Sequence, residues 1–135
     1  MNKMQSVKLR NQNQVQSPKP ELKYRAFYLS LNIIKFIETL EYRQAIKIIS
    51  EQLIRSVTSI GANIVEAKGS SSKREFLNYF QIALKSTHET KYWLALLREL
   101  LPTHTKQIND FIQETEDISK IISSSVLTMK GKRQL

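Results

Sequence analysis

The sequence predicts an all-α fold: an antiparallel up-and-down four-helix bundle, preceded by a disordered basic N-terminal tail. Three observations point there. Only three glycines and three prolines punctuate 135 residues, which leaves long stretches without a break. Apolar residues recur three and four positions apart, the spacing that lines one side of a helix. The start and stop signals that do occur leave connections so short that consecutive helices must run antiparallel.

Residues 1–20, MNKMQSVKLRNQNQVQSPKP, are rich in Gln, Asn and Ser. Such a composition buries too little surface to offset its ordering entropy, so disorder is expected. From Glu21 to Leu40 the chain is apolar on nearly every side. Tyr24, Phe27, Leu31 and Ile34 make one stripe, while Leu29, Ile33, Phe36, Ile37 and Leu40 fill the opposite one. A helix of this kind must be covered from two directions.

No proline or glycine separates Glu21 from Ile60, yet the phase of the pattern slips. The next apolar stripe runs Ile46, Ile49, Leu53, Val57, Ile60, Ile64, out of register with the first. A turn near Glu41 to Arg43 brings both stripes to one core. The second helix is expected to end at Ala67 to Gly69, with Gly69 providing backbone freedom at the terminus. In Ser72-Lys73-Arg74-Glu75 the serine can accept from the Glu75 amide while the glutamate reaches back to the Ser72 amide, a capping box before Phe76 and Leu77. This third helix runs to about Leu101, where Pro102 stops it. The fourth starts at Thr103 or Thr105 and turns Ile108, Phe111, Ile112, Ile118, Ile122 and Val126 inward. Its first half carries Asp110, Glu114, Glu116 and Asp117 on what reads as an exposed acidic side. The bundle domain thus spans 21–129, and 130–135 form a basic C-terminal tail.

The net charge of +9 is unevenly spread. Lys3, Lys8, Arg10 and Lys19 precede the bundle with no acid among them, and Lys130, Lys132 and Arg133 follow it. The body between is close to neutral, so its charges must be argued side by side. Arg43 and Lys47 share a helix side with Arg55; Lys68, Lys73 and Arg74 cluster at the second connection, and Lys85 lies three turns beyond. These seven are the candidate contacts to RNA or DNA phosphates, against the alternative of a solvated bundle exterior. The tyrosines and phenylalanines fall mostly on apolar stripes, so no platform for base stacking is evident.

A polar seam adjoins the apolar stripes. On the second helix Gln52, Ser56, Ser59, Asn63 and Glu66 recur at spacings of four and three; on the third, Ser86 and Glu89 lie on a heptad line with Tyr79, Ile82, Trp93, Leu96 and Leu100. Small side chains let helix axes approach, and the polar ones can then bond across and fix register. Arg55 is the candidate partner of Glu89. The face of the third helix is wider than one bundle core needs, which makes Trp93, Leu96 and Leu100 candidates for a subunit interface.

Catalytic readings find little support. The absence of cysteine excludes disulfides and thiolate sites. Di-iron bundles need Glu-x-x-His pairs, but Lys85 and Leu101 stand three residues before His88 and His104. There is no phosphate loop or serine elbow. No cofactor and no enzyme activity are expected. Without an apolar run of signal-peptide or membrane-spanning length, a soluble, cytoplasmic protein with no membrane role is expected.

The stretch from Glu51 to Leu97 resembles the four-helix-bundle protein family encoded within bacterial 23S rRNA intervening sequences. QLIRS at 52–56, SIGANIVEA at 59–67, Ser-x-x-Glu-Phe at 72–76 and IALKSTHE at 82–89 carry the resemblance, with weaker similarity back to about residue 24. The family often has proline where this chain has Gly61, and a longer first connection. The resemblance implies an antiparallel bundle that assembles as a ring of five, and no established activity. The related accessory proteins of diversity-generating retroelements, similar pentamers that bind nucleic acid and a reverse transcriptase, imply those partners by analogy.

Overall fold

The computed structural model of the chain describes residues 21–134. The disorder expected of 1–20 lies outside the described residues. Four helices follow in order: α1 (Leu22–Glu38), α2 (Gln44–Lys68), α3 (Lys73–Leu100) and α4 (Thr105–Gln134), with a 3-10 turn at Pro102–His104 between the last two. Among the described residues there is no strand. Each helix packs on its neighbour in sequence, and α1 returns to touch α4, while the diagonal pairs α1–α3 and α2–α4 do not meet. This is an all-α up-and-down four-helix bundle. The α2–α3 contact is the most extensive, and that between α1 and α4 the sparsest of the four.

One inward row from each helix builds the core. Leu29 and Ile33, Leu53 and Ile60, Leu94 and Leu97, and Ile118 and Ile122 are fully buried. The register slip read from the sequence is the α1–α2 turn: α1 closes with Thr39 Oγ1 donating to the Phe36 carbonyl at 2.7 Å, and Arg43 in extended conformation precedes α2. Gly61 sits mid-helix where α2 passes Ala26 of α1. A Cβ there would lie 3.5 Å from Ala26 Cβ, an ordinary contact, so the small residue tightens the approach without being sterically required.

Three local expectations are corrected. Gly69 adopts φ −90°, open to any residue, so the end of α2 does not draw on glycine's special freedom. Ser72 Oγ accepts from the Glu75 amide at 3.1 Å as expected, but the Glu75 carboxylate accepts from Ser71 Oγ at 3.2 Å instead of returning to the Ser72 amide. The capping box is half made. Lastly, α4 continues to Gln134, so 130–134 extend the helix. One glycine, Gly131, costs only about 1 kcal/mol of helix propensity and there is no proline to stop the chain.

Candidate functional site

The polar seam is a hydroxyl contact between α2 and α3. Ser86 Oγ donates to Ser59 Oγ at 2.9 Å, and Thr90 Oγ1 lies 3.0 Å from Ser56 Oγ and 2.8 Å from the Ser86 carbonyl. Ser56 Oγ reaches the Leu53 carbonyl at 3.1 Å, and Asn63 Nδ2 donates to both the carbonyl and the hydroxyl of Ser59. Short uncharged groups satisfy one another here while the axes stay close. Thr90, one turn beyond Ser86 on α3, is the crossing partner of Ser56.

The longer members of the seam take no part. Glu66 and Glu89 are exposed and Gln52 is half-buried; none of these side chains makes a hydrogen bond or ion pair among the described residues, and Arg55 does not reach Glu89. A carboxylate drawn into the contact would lose its hydration without a cation in reach, so it turns to water. Asn63 bonds within its own helix and not across the contact.

The charge that does enter the fold lies elsewhere. Arg25 of α1 grips Glu114 of α4 in a forked pair, Nε to Oε2 at 3.0 Å and an Nη to Oε1 at 2.6 Å, with Asp117 at 3.8 Å. The side chains are 19% and 10% exposed. The bond to Glu114 raises the affinity of Arg25 for its proton, against the opposing cost of burial. Glu114 therefore leaves the exposed acidic side that the sequence suggested. The signal was available: Glu114 shares the inward row of Phe111 and Ile118. A second pair joins α3 to α4, Lys91 to Glu116, whose hydrogen bond holds the Glu116 carboxyl below its usual range.

The seven candidate phosphate contacts separate. Arg43 donates to the Leu100 carbonyl at 3.3 Å, closing the end of α3, and it lies with Lys47 at the opposite end of the bundle from Lys68, Lys73 and Arg74. Glu51 stands one turn from both Lys47 and Arg55, which dilutes that side. Lys85 is exposed on α3. Lys68 faces Glu21 at 3.6 Å, whereas Lys73 and Arg74 make no ion pair among the described residues. Up-and-down order adds a feature that spacing alone hides. The start of α1, the end of α2, the start of α3 and the end of α4 all lie at one end, so Lys68, Lys73 and Arg74 share it with the stretch bearing Lys130, Lys132 and Arg133. The chain also enters α1 there, through Glu21. We call this end the basic pole.

The apolar surface is also redistributed. Trp93 and Leu100 are half-buried against the core of their own chain, and Leu96 is likewise half-buried. The outward stripe of α1 remains open: Tyr24 and Phe27 are 49% and 56% exposed and border, with Val65 of α2, a groove of ≈ 890 Å³. Among the described residues no three His, Cys, Asp or Glu side chains are grouped to hold a metal ion. His88 is exposed, and the His104 ring packs edge-on to Phe36 at 5.4 Å. Among the described residues no helix is long and apolar enough to cross a membrane.

Comparison with known proteins adds two findings. The model of the 23S rRNA-intervening sequence protein family matches residues 20–124. A crystal structure of a protein of unknown function from the S23 ribosomal protein family of Bacteroides thetaiotaomicron is 32% identical, with a TM-score of 0.70; the match covers 78% of this chain and 98% of that one. No protein of curated function shows significant similarity.

Proposed function

The chain belongs to the 23S rRNA-intervening sequence protein family, and from that premise we propose that it is a non-enzymatic, cytoplasmic, self-associating bundle that binds RNA or DNA through its basic pole. The observation that carries this reading is the convergence of Lys68, Lys73, Arg74 and the Lys130 end of α4 at one end of a body that is otherwise near neutral. Clustered cations release the counterions condensed on a phosphate backbone, and this term needs no base-specific contact. Assembly would multiply the pole and turn weak contacts into avidity. Five copies is the stoichiometry, and a reverse transcriptase the protein partner, that the family resemblance suggests for testing.

The test is filter binding to RNA and DNA across a salt series. The logarithm of affinity should fall linearly with that of salt, by about 0.9 per duplex phosphate neutralised. K73Q/R74Q should flatten the slope, and R43Q/K47Q should leave it unchanged. No binding at low salt would overturn the reading. A second reading, a protein-interaction module without a nucleic-acid role, is favoured by the open apolar groove between α1 and α2.

A further inference from the structure

We infer that the outer face of the α1–α2 hairpin is where a second copy of this chain docks. The inference deepens the self-association in the proposed function and is independent of its nucleic-acid part. It moves the interface from the Trp93 face of α3 to the α1–α2 hairpin.

The reason begins in the sequence of α1. Its inward row, Ala26, Leu29, Ile33 and Phe36, is buried in the bundle. Its other row, Tyr24, Phe27, Leu31 and Ile34, is equally apolar and lines a groove in which Tyr24 and Phe27 are exposed and Leu31 and Ile34 half-buried. Opposite it, α2 presents Thr58, Ala62 and Val65, so two small residues leave a hollow beside a 58% exposed valine. Toward the α1–α2 turn a smaller recess of ≈ 240 Å³, bordered by Ile37, Leu40 and Ile54, continues the same edge. Exposed Ile82 and Tyr92 on α3, and Ile121 and Leu127 on α4, border neither recess.

Extent and charge identify the occupant. At 1.5 Å per residue α1 is about 25 Å long, and two helices side by side span roughly 20 Å including side chains. The projected face is on the order of 500 Å², and its ridged accessible area is larger, commensurate with the roughly 800 Å² per partner of a stable protein interface. The charged residues bordering the two recesses balance: Lys23, Arg43 and Lys47 against Glu41, Glu51 and Glu66. A balanced apolar face does not select phosphate, and it meets another copy without net repulsion. Residues 1–20 of the same chain are a poor filling. They hold Met1, Met4, Val7, Leu9 and Val15 as their large apolar residues, no aromatic, and four basic groups without an acid.

Sedimentation equilibrium of the full chain at micromolar concentration should return a multiple of 15.7 kDa. F27E/V65E should return the single-chain mass with the helical circular dichroism intact, while Y92E on α3 keeps the assembly. Should the double variant fail to fold, alkylation gives an independent reading, because the chain has no cysteine of its own. A62C should react with a maleimide more slowly than Y92C, and the difference should vanish on dilution to the monomer. A monomeric parent chain overturns the inference, even with A62C protected, since the groove would then be covered by residues 1–20. So does a folded F27E/V65E that keeps its parental mass. Salt-dependent nucleic-acid binding by a monomer would leave the basic pole standing, and an assembly that binds no nucleic acid would leave this interface standing.

Discussion

Replacing Glu114 by alanine tests how α1 is held in the bundle. Because α1 meets α4 only sparsely, the Arg25–Glu114 pair is the principal polar tie on that side. Two hydrogen bonds to charged groups are lost, and a guanidinium that is four-fifths buried keeps only Asp117 at 3.8 Å. Breaking a fully buried pair costs about 3–5 kcal/mol. Residual exposure and Asp117 reduce this to about 2 kcal/mol, close to the 1.5–3 kcal/mol typical of one charged hydrogen bond. For a domain of this size that lowers Tm by roughly 6–10 °C.

The converse change should cost at least as much. R25M strands a 10% exposed carboxylate that has no other cation in ion-pair range among the described residues. The double variant R25M/E114L removes both charges and should return to within about 1 kcal/mol of the parent, since well-packed apolar replacements of buried pairs are close to neutral. Urea denaturation of the parent, R25M, E114L and R25M/E114L closes the cycle. Amide exchange should show the E114A loss as faster opening of α1 ahead of α2 and α3. A cost below about 0.5 kcal/mol for E114A, with no coupling in the cycle, would refute the assignment of this pair as the tie.

Two further outcomes follow from the helix contacts. G61A should stabilise the bundle by up to about 1 kcal/mol, because the added Cβ meets Ala26 at an ordinary 3.5 Å and helix propensity improves; a rise in the urea midpoint checks it, and a fall would mean that the α1–α2 approach cannot give. The Lys91–Glu116 pair should add acid sensitivity of known sign. The folded Glu116 carboxyl titrates below its unfolded value, so the contribution is complete above the ordinary glutamate range near pH ~4.3 and is lost as pH falls through the folded value. Both side chains are substantially solvated, which keeps the effect to a few tenths of a kcal/mol; comparing E116Q with the parent at pH 7 and pH 3 should show a difference at the former that shrinks at the latter.

What could be read from the sequence was whatever periodicity encodes. The phase slip between Ile34 and Ile46 located the first turn, Ser72 located the start of α3, and the inward rows of α2 and α4 were legible from spacing. Periodicity does not say how far a side chain reaches. Ser59 and Ser86 meet because both are short, whereas Glu66 and Glu89 at equivalent spacing swing out to water. Nor does it distinguish two apolar stripes on one helix. The wide face of α3 was read as the surplus, but Trp93 and Leu100 pack against their own core, and the apolar groove lies along α1. Glu114 hides because a charged residue on an inward row reads as a boundary until its partner, 89 residues away, is known.

The basic pole and the α1–α2 face constrain one another through symmetry. Both helices of that face lie along the bundle axis, so a docking that keeps the bundles parallel points every pole the same way, whereas a two-fold pairing of antiparallel bundles sends the poles to opposite ends. Only heterologous contacts closing into a ring give the first arrangement with more than two copies, and only there do Lys68, Lys73, Arg74 and the Lys130 ends of α4 of all copies line one rim. The salt dependence of binding then separates the two. A ring engages one nucleic acid with many poles, so its slope per assembly exceeds that of the dissociated F27E/V65E chain several-fold. A two-fold pair engages one pole at a time on a short oligonucleotide and shows the slope of the single chain. Equal slopes for the parent assembly and its dissociated variant would therefore exclude a shared rim, whatever the mass of the assembly.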